Sequence, residues 1–202
     1  MMPRLFSVYR RFIASTRGVV AIEFAMILPV LLIALLATFD GGNAIAVYMK
    51  VRSATYVLAT ITNQYSKTTP IQSTDMTAIT GATSAVLSPY SSAPIVVVIS
   101  QLAISAAGKT TATVDWSATL NGAALGVGTA VTLPTTIGSS TNTCSTYPCY
   151  LIYAQVSYKY TPMFGYFANG GITFSDSVFV TPRSSVCIPY VPITGANSCG
   201  AY

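Results

Sequence analysis

From Val19 to Phe39 the chain runs through 21 residues of which only Glu23 carries a charge. At the 1.5 Å helical rise such a run is about 30 Å long, one hydrocarbon thickness, so it can span a bilayer as a single helix. The leader before it, residues 1–18, carries Arg4, Arg10, Arg11 and Arg17 and no acid, whereas Asp40 is the first charge after the run. Arg and Lys accumulate on the cytoplasmic side of a span, which assigns the N-terminus to the cytoplasm and sends everything beyond Phe39 across the membrane. A removable secretory signal is the rival reading. Its apolar region runs only about 7 to 15 residues and ends at a small-residue cleavage site, whereas this run is longer and its helical pattern continues.

The chain has 202 residues, 52% hydrophobic and 7% charged, enough for one anchor and one globular domain of ordinary size. Its net charge of +5 is not a partner signal: four of the ten basic residues lie in the leader, leaving six against five acids. No basic patch remains to neutralise phosphates, so neither nucleic acid nor an acidic substrate is expected. The four cysteines, Cys144, Cys149, Cys187 and Cys199, are an even set in a domain expected outside the cytoplasm, which favours disulfides. Of the three pairings possible, the local one is expected, Cys144 with Cys149 and Cys187 with Cys199. A zinc site is the alternative, but the wide gap between Cys187 and Cys199 fits close-paired ligand spacing poorly, and no metal is expected.

Beyond the span the helical period persists through Ile45, Tyr48, Val51, Ala54, Leu58, Ile61 and Tyr65, with Asn43, Lys50, Ser53, Thr60, Asn63 and Lys67 between them. The anchor helix is therefore expected to continue outside the membrane to Ser66 and to stop at Thr69-Pro70, with Pro29 and Gly41-Gly42 as places where it could kink. Ser73-Thr74-Asp75 offers capping oxygens for a shorter second helix. The period then changes. Pro94 to Ser105 and Thr110 to Leu120, the latter alternating through Val114 and Trp116, read as a hairpin around Ala106-Ala107-Gly108-Lys109. Asn121-Gly122 is a turn, followed by one weak strand and a long loop to Thr143. Tyr150 to Thr161, with Ile152, Ala154, Val156, Tyr158 and Tyr160 on one face, and Ile172 to Val180 are two further strands. The layout is a leader (1–18), a transmembrane helix (19–39), an amphipathic extension (40–69) and an exported α+β domain (70–202). Its antiparallel sheet of about four strands packs on the long helix.

Catalytic vocabulary is sparse. The absence of histidine removes the commonest general base, the usual Ser/His and Cys/His pairs and most catalytic zinc sites. Asp40, Asp75, Asp115 and Asp176 have no spacing that makes a catalytic pair and read as caps or solvated surface. The glycine-rich stretch from Asn121 to Gly128 lacks a phosphate-loop lysine and reads as turn and loop. Neither an enzyme nor a cofactor is expected. Thirteen tyrosines, with Tyr147, Tyr150, Tyr153, Tyr158, Tyr160 and Tyr166 close in sequence, would suit a stacking or adhesive surface, but strand propensity explains them more simply. The runner-up function is accordingly a membrane-tethered adhesin or surface-binding module.

Glu23 is about 6 Å inside the start of the span, where burial costs less than the roughly 2.5 to 3.5 kcal/mol of a mid-span carboxylate. One reading is a carboxylate that snorkels to the interface. The sharper one follows from cleavage after Gly18, which would create an α-ammonium on Val19. A carboxylate at Glu23 can then meet the ammonium of a neighbouring subunit, neutralising both and fixing the axial register of packed helices.

Arg17-Gly18, four residues, then Glu23-Phe24 and an apolar run resembles a type IV prepilin cleavage site. The fuller string from Gly18 through Pro29 resembles the TadE/TadG-like minor pseudopilins of the tight-adherence (Tad, Flp) pilus system. Tyr48 to Gln64, with Arg52 and Ala54, resembles the exported helix of that family, and Val156 to Pro162 with Thr181-Pro182-Arg183 resembles its C-terminal strand pair. The resemblance implies a pilin-like fold and cutting between Gly18 and Val19 by a prepilin peptidase, an aspartyl membrane protease. It further implies a role for Glu23 and Phe24 in assembly register, an inner-membrane location with the sheet in the periplasm, and partners among pilin-like subunits and the inner-membrane assembly platform. The major pilin of the system is far shorter, so this chain is not expected to be the main fibre subunit.

Overall fold

The computed structural model describes residues 17–138, 147–164, 170–191 and 199. Its first element, α1 (Arg17–Thr62), is an unbroken helix of 46 residues, about 70 Å long at 1.5 Å per residue. Pro29 removes one ladder hydrogen bond without ending the helix, and α1 runs continuously through Gly41-Gly42. The helix stops at Thr62, short of the expected Ser66. There the Ser66 N–H donates to Thr69 Oγ1 (3.1 Å) and the Thr69 N–H to Ser66 O (3.1 Å), so hydroxyl-rich residues 66–69 close a turn of their own.

The two halves of α1 face different surroundings. Up to Phe39 apolar side chains are exposed all round, whereas beyond it Val47, Val51, Ala54 and Leu58 are fully buried against the sheet. The buried stripe is rotated from the expected one: Ile45 and Tyr48 remain 59% and 43% exposed, and Val47 takes the inward position. The Thr55 and Thr62 hydroxyls, buried on the same side, donate to Val51 O (3.0 Å) and Leu58 O (2.9 Å), so each enters the core already satisfied.

A second helix, α2 (Ser73–Ala85), covers one flank of this core with Met76 and Ile79. Asp75 accepts the Gln72 N–H (2.9 Å), and Lys50 on α1 donates to Val86 O (3.3 Å) just past the end of α2, a cation placed where helix carbonyls lack partners. The sheet comprises β1 (Ile95–Ile104), β2 (Thr111–Leu120), β3 (Ala130–Thr132), β4 (Cys149–Tyr160) and β5 (Ile172–Val180), with a single-turn helix α3 (Thr135–Gly138) after β3. All pairings are antiparallel in the order β3-β2-β1-β4-β5. The fold is thus α+β with five strands among the described residues rather than about four; the fifth is the weak three-residue edge strand β3.

One irregularity organises the sheet. Gln101 pairs with Trp116 but Leu102 pairs with Val114, so Asp115 is an extra residue in β2. The bulge breaks the alternation expected through Val114 and Trp116. Trp116 and Ala118 join the main core with Ile152, Ala154, Val156, Tyr158 and Tyr160 of β4, whereas Val114 and Ala112 join a second, smaller core with Leu102, Leu133 and Leu151. Asp115, read from sequence as cap or surface, is only 4% exposed. The bulge carries it inward, where Gln101 Nε2 donates to its Oδ2 (2.7 Å).

The C-terminal segment straps over this point. Gln101 Oε1 accepts the Ile188 N–H (2.7 Å), Trp116 Nε1 donates to Ile188 O (2.8 Å), and Ile71 exchanges backbone bonds with Pro189 O (2.9 Å) and the Val191 N–H (3.0 Å). Cys187 is disulfide-bonded to Cys199 with a Cα–Cα distance of 5.8 Å, and Cys149 is also disulfide-bonded. Its expected partner, Cys144, lies outside the described residues.

Two consequences are measurable by denaturant titration of the full chain in detergent, read through its single tryptophan. Leu58→Ala should lower stability by about 2–5 kcal/mol through lost burial and an unfilled cavity. Replacing Cys187 and Cys199 together by serine should cost about 3 kcal/mol, the loop-closure figure for a ring of this size, and should shift Trp116 emission to the red as the strap over it loosens.

Candidate functional site along the membrane helix

Gly18 and Val19 lie in the first turn of α1, and Glu23 follows Val19 by four residues, so the two share one side of the helix a turn apart. Glu23 is exposed, as are its neighbours, from Val19 at 52% and Phe24 at 60% to Met26 at 74%. An apolar cylinder exposed on every side is not tolerated in water. The segment is long and apolar enough to cross a membrane once, with a mean hydropathy of 2.8 in its most apolar window.

The other end of the run is joined to the sheet. The Phe164 N–H donates to Asp40 Oδ2 (3.3 Å), the Tyr160 hydroxyl reaches Asp40 O (3.5 Å), and the Phe39 and Phe164 rings meet edge to face at 6.0 Å. Asp40 Oδ1 is buried with no hydrogen-bond partner. Beside it lies a cleft of about 270 Å³, lined by Ala37, Asp40, Gly41 and Ala44 of α1 and by Tyr160 and Ile172 of the sheet. Burial, and then the nearby Asp40 charge, hold the Tyr160 phenol above its usual pKa. Gly171, just before β5, has φ +76°, and an added Cβ there would lie 2.9 Å from Tyr160 O, so this corner needs glycine.

Higher on α1, Arg52 projects from the exposed side, its cationic form favoured first by Tyr56 and then by Tyr48 and Asp176. The tyrosines do not form one surface. Tyr158 and Tyr160 pack in the core beneath α1, Tyr150 is buried, and Tyr153 stacks on Phe179 (4.8 Å) with the second core; Tyr166 lies outside the described residues. Burial raises the phenol pKa of Tyr153 and Tyr158 as well. Gln101 is the residue that pattern reading missed: it is uncharged and sits in an apolar strand, and only the bulge opposite it reveals why a polar side chain belongs there.

Comparison with known proteins finds a similarity along one segment of this helix. The model for TadE-like proteins matches residues 18–59, which begin at Gly18 and end within the buried part of α1. No curated protein and no solved structure matches the chain. Over residues 18–59 the chain is therefore similar to TadE-like proteins.

Proposed function

We propose that this chain is a minor pseudopilin of Tad/Flp pilus assembly, a non-enzymatic membrane component cut by prepilin peptidase between Gly18 and Val19. The observation that carries the reading is that the TadE-like match starts at Gly18, where the arginine-bearing leader ends. Cutting there leaves a helix that begins at Val19 with a new α-ammonium and with Glu23 one turn along.

Glu23 then has a definite role. In lipid, an ammonium on one subunit and the Glu23 carboxylate of another each lower the burial cost of the other, and they do so at one axial offset only. Phe24 and the apolar run behind it supply the remaining contacts between packed helices. The N-terminus faces the cytoplasm and the sheet the periplasm, where the exported domain meets other pilin-like subunits and the inner-membrane assembly platform. The tethered-adhesin alternative gains nothing from Tyr147, Tyr153, Tyr158 and Tyr160, whose rings are divided between two cores.

Intact mass and N-terminal sequencing of the protein, produced with and without its prepilin peptidase, test the reading. A mature start at Val19 that requires the peptidase is expected, and Gly18→Trp should leave the uncut chain in the membrane. Glu23→Val should be cut normally yet assemble poorly. Peptidase-independent mobility of the Gly18 variant, or normal piliation with Glu23→Val, contradicts the respective half of the proposal.

A further inference from the structure

We infer that the loop leaving β4, at Pro162-Met163-Phe164, is a second membrane contact that seats the domain on the outer face of the bilayer. The inference rests on α1 crossing the membrane and not on any role in a pilus.

The height of the loop is set by α1. Phe39 is the last residue of the apolar run and Asp40 the first charge after it, so this pair marks the hydrocarbon–headgroup boundary. Phe164 is fastened to that pair, by its ring to Phe39 at 6.0 Å and by its N–H to Asp40 Oδ2 at 3.3 Å. Met163 is 77% exposed and Phe164 39% exposed, large apolar side chains beside the span at the depth where it leaves the membrane. Any bilayer that surrounds Val19–Phe39 therefore also reaches these side chains, with no further partner required. Lys159, exposed one residue before Tyr160 at the same end of β4, supplies a cation at headgroup level. The exposed apolar groups and a flanking cation are the composition of an interfacial anchor. A protein surface would have to displace lipid to cover them.

The contact fixes posture. With the loop seated, the β1–β2 turn around Lys109 points away from the membrane, at the far end of the strands that start near Tyr160.

The test uses the full chain in vesicles of phosphatidylethanolamine and phosphatidylglycerol doped with lipids brominated either near the top of the acyl chains or near their ends. Met163→Trp, Val30→Trp and Lys109→Trp are compared with the wild type, whose buried Trp116 gives the background. The tryptophan at 163 should lose the larger part of its emission to shallow bromine and less to deep bromine, the one at 30 should show the reverse, and the one at 109 should lose nothing. Emission at 163 no more quenched than at 109, with 30 quenched, overturns the inference while leaving the span intact. Absence of quenching at 30 would remove the span and the inference together.

Discussion

Everything in this molecule depends on one helix being asked to satisfy two solvents. The first half of α1 exposes apolar side chains on all sides and is stable only where lipid or other apolar helices surround it. The second half buries Val47, Val51, Ala54 and Leu58 under a sheet that, among the described residues, has no other comparably long element to close it. Because the backbone is continuous, the depth of the helix in the membrane sets the height of the sheet above it. The corner at Asp40, where α1, Tyr160 and Phe164 meet, is where the two environments are tied together.

The far end of the domain is tied by a different device. A single extra residue at Asp115 turns Trp116 toward one core and Val114 toward the other, so that a sheet of only five strands has apolar cover on both faces. The cost of that bulge is a carboxylate inside the protein, offset by Gln101, which holds Asp115 with its amide nitrogen and the Ile188 N–H with its oxygen. The strap carrying Ile188 is bound to the sheet through polar bonds with fixed geometry and is held in a loop by Cys187–Cys199. Removing one member of this set takes a buried hydrogen bond from the others, so the strap and the bulge are expected to be lost or kept together.

Much of this was readable in the residues because it depends on local periods. The apolar run of α1, the hairpin, and the alternation through Ile152, Ala154, Val156, Tyr158 and Tyr160 all announce themselves within a few neighbours. What was not readable depends on long-range choices. The inward face of α1 is selected by the sheet, which takes Val47 and leaves Ile45 and Tyr48 outside, although all three fit a helical stripe. The bulge is invisible because a single inserted residue leaves both flanking half-strands with normal alternation. Asp115 looked like surface for the same reason: nothing nearby in sequence says that its partner is Gln101. For the residues proposed to serve processing and assembly, geometry adds only that Val19 and Glu23 share one side of the helix; the proposed roles need a second chain.

The central claim is mechanical, that membrane anchor and domain spine are a single rod with no joint at Gly41-Gly42. Hydrogen–deuterium exchange of the full chain in phosphatidylethanolamine and phosphatidylglycerol nanodiscs tests it at the right residues. A continuous helix predicts that the amides of residues 40–46 exchange as slowly as those of residues 47–58, which are packed beneath the sheet. Fast exchange confined to residues 40–46 would mean a hinge, and the sheet would then be a separate body whose posture the anchor does not control.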